Sequence, residues 1–137
     1  MTETSDADLD IYVKAALGKK AKNPILLDVR HLTSLADAFL ICHGTSNRQV
    51  SAVAEHIQRV LKKQGIHALS VDGLKEGHWV LMDYGHVVIH VFYESTRSFY
   101  DLEGLWSDAR RIRTESLAQA ADYPDEDMDV DESVFIE

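Results

Sequence analysis

The chain has 137 residues, 45% of them hydrophobic and 27% charged, which allows one soluble domain with a real core. Its single cysteine, Cys42, excludes an internal disulfide and any multi-cysteine zinc or iron–sulfur centre, and no apolar run approaches the ~20 residues of a membrane span. The net charge of −9 belongs to the ends: residues 1–10 carry four acids and no base, residues 122–137 eight acids and no base, and the body between them has 14 bases and 11 acids. A balance of +3 spread over a body is not the clustered basic face of a strong phosphate binder, so no specific nucleic acid is expected as a partner. The acidic start lacks the apolar stretch of a secretion signal and the arginines of a transit peptide, so the cytoplasm is the expected compartment.

In chain order, residues 1–8 read as a polar N-terminal end. Leu9, Tyr12, Val13, Ala16 and Leu17 then have helical spacing, closed by Gly18 and the lysines that follow it. Residues 25–29 and 36–42 are short apolar runs that read as buried strands. Ser46 and Gln49 have capping-box spacing. They open the clearest helix, in which Val50, Val53, Ala54, Ile57, Val60 and Leu61 form one stripe and Gly65 supplies the stop.

A third strand is expected near 66–71, then a turn at 72–77 and a hairpin of strands 79–85 and 86–92 turning at Tyr84–Gly85. Residues 97–112 put Phe99, Leu102, Leu105 and Trp106 at helical spacing, which predicts a short amphipathic helix bent near Gly104. The fold class is therefore α/β: a single domain over 9–120, a mixed β-sheet packed with helices. The acidic segment 121–137 is expected to be disordered.

The candidate chemistries are sparse. The turn Gly44–Asn47 leaves a strand and opens a helix, a place where an anion or a nucleotide phosphate can sit. Magnesium-dependent nucleotide transfer would need paired carboxylates on neighbouring strands, and the strands that follow offer Asp72 and Asp83 without a D-x-D pair. His86 and His90 lie four apart on one strand, about 13 Å, too far for both to ligate one zinc. Cys42 ends an apolar strand and reads as a packed thiol. No metal or other cofactor is called for, and the chain reads as a non-enzyme.

Interface chemistry is richer. Trp79, Tyr84, Phe92, Tyr93, Phe99, Tyr100 and Trp106 crowd a short stretch, interleaved with Asp72, Glu76, Asp83, Asp101 and Glu103. Large rings anchor protein–protein contacts, and acids between them suit a basic partner.

Three segments carry a resemblance: LADAFLICHGTSNRQVSAVAEHI (35–57), VDGLKEGHWVLMDYGHVVIHVF (71–92) and RSFYDLEGLW (97–106). Together they resemble the Iojap family, also called ribosomal silencing factors, over about 9–109. The resemblance implies a nucleotidyltransferase-like topology without catalytic acids. It also implies a non-catalytic protein that binds a basic protein of the large ribosomal subunit, large-subunit protein fourteen. By binding there such a protein blocks subunit joining and represses translation under nutrient limitation. It further implies a homodimer when free.

Matched to the family motifs, the contact or contact-supporting positions are Glu76, Trp79, Asp83, Tyr84, His90, Tyr100, Glu103 and Trp106. In that reading Trp79 and Trp106 are buried anchors, Glu76, Asp83 and Glu103 charge partners, Tyr84 and Tyr100 amphipathic contact area, and His90 an orienting group. Family members often carry an acid after D-Y-G, where this chain has His86. A magnesium- and nucleotide-using enzyme and a large-subunit assembly factor are the alternatives.

Overall fold

A computed structural model describes residues 5–122. Its central strand, β2 (Ala38–Gly44), is buried at all seven positions, as a strand paired on both edges and packed on both faces must be. β2 pairs in parallel with β5 (Val87–Tyr93) and antiparallel with β1 (Lys22–Asp28). β4 (Trp79–Asp83) pairs antiparallel with β5 and with the short β3 (Ser70–Asp72), while β6 (Arg110–Arg111) closes the other edge on β1. The result is one six-stranded mixed sheet in the order β3-β4-β5-β2-β1-β6.

Side chains alternate across a strand, so the register divides the sheet into two unlike faces. One face carries Leu26, Leu40, Cys42, Val80, Met82, Ile89 and Val91, all fully or almost fully buried beneath the helices. These helices are α1 (Asp10–Leu17), α2 (Asn47–Lys63) and α5 (Glu115–Asp122). α2 contributes Val50, Val53, Ala54, Ile57 and Leu61, the stripe its sequence spacing predicts. Burying each larger aliphatic side chain stabilises the fold by about 1.5–3 kcal/mol, so this face holds most of the fold's apolar driving force. The other face carries Ile25, Leu27, Phe39, Ile41, Trp79, Val88 and Phe92 and is covered only in part, by α3 (Glu94–Tyr100) and α4 (Leu102–Leu105).

Local chemistry explains the element ends. Ser46 Oγ accepts the Gln49 N–H at 3.0 Å, the first arm of the predicted capping box. The return arm lands one residue early: Gln49 Oε1 accepts from the Thr45 N–H at 2.7 Å and from the Thr45 hydroxyl at 3.0 Å. Gly65, at φ +80°, ends α2 with the Gly65 N–H donating to the Lys62 carbonyl and the Ile66 N–H to that of Leu61, a Schellman pattern.

That closure uses Ile66, so the third strand starts later than the sequence predicts, at Ser70. The helix expected over 97–112 is also corrected. It breaks at Asp101, at φ +47°, rather than at Gly104, and beyond α4 the chain forms β6 and then α5. Gly104 has another task. The Asp101 carboxylate accepts its N–H at 3.1 Å and lies where a Cβ would stand. Apart from Ala121 and Asp122 in α5, the segment 121–137 lies outside the described residues, as do residues 1–4.

Candidate functional site

The partly covered face is where the rings gather. Trp79 opens β4 and faces Phe92 across the strand pair at 4.8 Å between ring centroids. Tyr100, the last residue of α3, lies 4.8 Å from the same indole on its outer side. Beneath them the Trp79 Nε1–H donates to His90 Nδ1 at 3.1 Å, which places the imidazole proton on Nε2. That Nε2 is buried without a hydrogen-bond partner, and burial pushes the ring's pKa down to about 4, so His90 is neutral at physiological pH. Phe39 meets both His90 and Trp106 edge-on at 5.2 Å, which joins α4 to the same aromatic sheet.

α3 and α4 leave apolar side chains outside this stack. Phe99 is 81% exposed, Leu105 75% and Tyr100 51%. The predicted stripe therefore splits. Leu102 and Trp106 pack on the sheet, whereas Phe99 and Leu105 face solvent, because the left-handed turn at Asp101 sets α4 on a different axis from α3.

A buried arginine holds this layer in place. Arg97, only 8% exposed, donates through Nε to Glu103 Oε2 at 2.9 Å and through Nη1 to the Asn23 carbonyl at 2.9 Å. The same Nη1 meets His43 Nδ1 at 2.9 Å; since a guanidinium only donates, Nδ1 is the acceptor and His43 carries its proton on Nε2. Burial, and then the Arg97 charge, lower the His43 pKa and keep it neutral in that role. β1 is shaped for this clamp, with a register shift between Lys22 and Ile25 and Asn23 at φ +46°. Beside Arg97 and His43 opens a cleft of about 360 Å³ that also meets the acids Glu94, Asp101 and Glu103.

The structure thus brings Trp79, His90, Tyr100 and Trp106 together, with Glu103 tied to them through Arg97. The other three positions lie elsewhere. Tyr84 is buried in the helix-side cluster, its ring 5.7 Å from Tyr12 and its hydroxyl without a partner. Asp83 caps the β4–β5 turn by accepting the Gly85 N–H at 2.8 Å, which gives the D-Y-G motif a local purpose. Glu76 is exposed in the 73–78 loop, which Ser51 anchors to α2 by donating to the Leu74 carbonyl at 2.7 Å. His86 is also used locally, with its Nε2 3.3 Å from the Tyr12 hydroxyl.

Trp79 and Trp106 are half-buried. Sequence reasoning did not single out Arg97, His43 and the outward Phe99 and Leu105 as site residues. The one available signal for Arg97 was a lone cation among acids in the segment 94–103.

Two of the enzyme-like features, Asp83 and the Gly44 turn, do not converge. Asp83 pairs with Val88, which is level with Phe39, whereas the Gly44 turn lies at the opposite end of β2 and two strands away. That separation is about 19 Å on standard strand spacings. Cys42 is fully buried and its thiol is pushed up to about 12 by that burial, which leaves no thiolate nucleophile. Among the described residues no group of three or more His, Cys, Asp or Glu could hold a metal ion, and no helix is long and apolar enough to cross a membrane.

A family model described as ribosomal silencing factor during starvation matches residues 2–134. The chain belongs to the ribosomal silencing factor family. It is 40% identical to the ribosomal silencing factor of Halalkalibacterium halodurans over 109 residues, covering 80% of this chain and 93% of that one. With the Bacillus subtilis factor it shares 44% identity over 101 residues, covering 74% of this chain and 86% of that one.

Weaker likenesses reach the chloroplastic Iojap protein of Zea mays, 35% identical over 72% of this chain and 43% of that one. A mouse protein named for mitochondrial assembly of the ribosomal large subunit is 29% identical over 83% of this chain and 50% of its own. A crystal structure of a protein from Chromobacterium violaceum superposes with a TM-score of 0.72 at 38% identity, covering 77% of this chain and 88% of that one. As a ribosomal silencing factor the chain has the family's general role, regulation of translation through the ribosome.

Proposed function

We propose that this silencing factor, a cytoplasmic non-enzyme without cofactor, docks its ring-bearing sheet face on a basic protein of the large ribosomal subunit, large-subunit protein fourteen. Bound there it would block joining of the small subunit by its bulk and so repress translation under nutrient limitation. The observation that carries the reading is the exposed pair Phe99 and Tyr100, 5.0 Å apart between ring centroids, with Tyr100 over the half-buried Trp79, exposed Leu105 on the next helix, and the acids Glu94, Asp101 and Glu103 along the same segment. Exposed rings backed by a rigid stack are the anchors expected of a docking surface, and the acids around them match a cationic partner.

In this reading Trp79, Tyr100 and Trp106 are the anchors, and Glu76, Asp83 and Glu103 are charge partners. His90 fixes the Trp79 indole, and Tyr84 supports the hairpin from the helix side. When the protein is free, the same apolar cluster would pair two copies as a homodimer. Docking needs only binding, which agrees with the separation of Asp83 from the Gly44 turn.

Sedimentation of the protein with isolated large subunits, small subunits and both together tests the proposal. The expected result is co-migration with the large subunit and fewer joined ribosomes; co-migration with neither subunit at low salt would overturn it. A second reading, large-subunit assembly, is favoured by the name of the mouse relative. It predicts co-migration with immature large particles and no effect on the joining of mature subunits.

A further inference from the structure

The charge of the body is not spread evenly over the fold. Residues 14–20 and 47–63 hold seven of the 14 Lys and Arg residues against one acid, Glu55. All seven are exposed, and none forms an ion pair among the described residues. Six of them, all but Lys14, lie on α2 or just beyond the end of α1, where the two helices meet.

Contacts between α1 and α2 fix that meeting. The Gln49 side chain donates through Nε2 to the Lys20 carbonyl at 3.4 Å, and Gly18 lies against the His56 ring. Gln49 and His56 thus mark the flank of α2 that faces the end of α1. Lys63 follows His56 by seven residues, two turns along the same flank, and Arg59 follows it by three. Arg59 itself stands opposite the buried stripe of Val50, Val53, Ala54, Ile57 and Leu61. The His56 ring feels the crowding: burial, and then the charges of Arg59 and Lys19, lower its pKa. Arg48 stands three turns before Arg59 on the outer side, while Glu55 shares the far flank with Lys62. From Arg48 to Lys63 the row is about 22 Å long.

A row of that length suits a polyanion better than a single phosphate. Nucleic-acid backbones are linear arrays of charge, with one negative charge per ~1.7 Å of a duplex axis. An anionic membrane fits less well. Helices that bind membrane surfaces insert apolar side chains, and the larger apolar side chains of α2 are turned into the core. The net charge of −9 does not forbid the contact. At 0.1 M salt, charges more than ~10 Å apart are largely screened, so a strand laid on α2 meets the local charge.

We propose that the stripe of Lys19, Lys20, Arg48, Arg59 and Lys63 binds the phosphate backbone of RNA. It reads no bases: contacts of this kind give affinity and orientation without sequence preference. The stripe lies on the helix-covered side of the sheet, away from the ring-bearing face, so both surfaces can be occupied at once. It needs nothing from the docking reading, and its failure would leave that reading intact.

The test is fluorescence anisotropy of a short labelled RNA duplex titrated with the full chain, without ribosomes. Saturable binding is expected at 50 mM salt, at tens of micromolar protein or below. Four or five phosphate contacts give a slope of about −4 in log affinity against log salt, which is about a fifteen-fold loss between 50 and 100 mM. A duplex of unrelated sequence should bind equally well.

Arg59→Glu should weaken binding about ten-fold. Arg111→Glu makes the same change in net charge at the exposed sheet edge and should alter binding less than two-fold. Absence of binding at 50 mM salt, a slope near zero, or equal losses in the two variants would each overturn the proposal. Tighter binding to polyglutamate or to phosphatidylserine vesicles than to the duplex would also overturn it. Those results would assign the stripe to an acidic protein or to a membrane surface.

Discussion

The two faces of the sheet are built from adjacent residues of the same strands, yet they are chemically unlike. On the helix side, Leu40, Val80, Met82, Ile89 and Val91 are fully buried within one continuous hydrophobic cluster with α1, α2 and α5. On the other side, their neighbours include Trp79, His43, His90 and, over them, Arg97, with three exposed apolar side chains on α3 and α4. The first face is filled almost wholly by apolar side chains, the Tyr12 and Tyr84 hydroxyls apart. The second uses buried hydrogen bonds to hold its rings in fixed positions while leaving them within reach of a partner. In the proposed reading, stability rests on the first face and docking on the second.

The sharpest way to break this division is Arg97→Ala. It strands the Glu103 carboxylate, His43 Nδ1 and the Asn23 carbonyl in a largely buried setting, and should cost about 3–5 kcal/mol in urea unfolding. α3 should loosen from the sheet as well, so docking would fall even under conditions where the protein remains folded. A loss below 1 kcal/mol would mean the clamp does not hold the second face.

His90 predicts a pH dependence on the same face. Its folded pKa, about 4, lies below the ordinary 6.5, so the unfolded chain binds the extra proton first. The contribution is fully present above about pH 6.5 and is lost as pH falls towards 4, a change on the order of 3 kcal/mol. Melting temperature measured from pH 7 to pH 4.5 should fall less steeply in His90→Gln than in the parent. Parallel curves would contradict the assignment.

The smallest effect belongs to the helix side. Burial, and then Tyr12, push the Tyr84 hydroxyl up to about 12, and it has no hydrogen-bond partner. Tyr84→Phe should leave stability unchanged or raise it by up to about 1 kcal/mol, with docking unaffected. A clear loss of large-subunit binding in that variant would place Tyr84 in the contact itself.

Much of the architecture was legible because its signals are local. The α2 stripe, Gly65 as its stop and the hairpin at Tyr84–Gly85 each follow from spacing and turn chemistry within a few residues. What sequence reasoning missed depends on distant contacts. Arg97 meets Asn23 and His43, 74 and 54 residues away, and no pattern around position 97 announces those partners. The bend at Asp101 was misplaced to Gly104 because glycine is the usual breaker, whereas here the aspartate takes the left-handed conformation and the glycine leaves room for its carboxylate. The rings of the site were visible as a cluster. Their split into packed and outward-facing sets was not, because it depends on that bend.

The central claim is that the outward rings of α3 dock on the large subunit. It is tested most directly by equilibrium binding of Tyr100→Ala to isolated large subunits, beside its melting temperature. Tyr100 is half-exposed, so the substitution should leave the melting temperature nearly unchanged while weakening binding about ten-fold or more, the effect of removing an aromatic anchor. Parent-like affinity with an unchanged melting temperature would show that the subunit is held by some other surface.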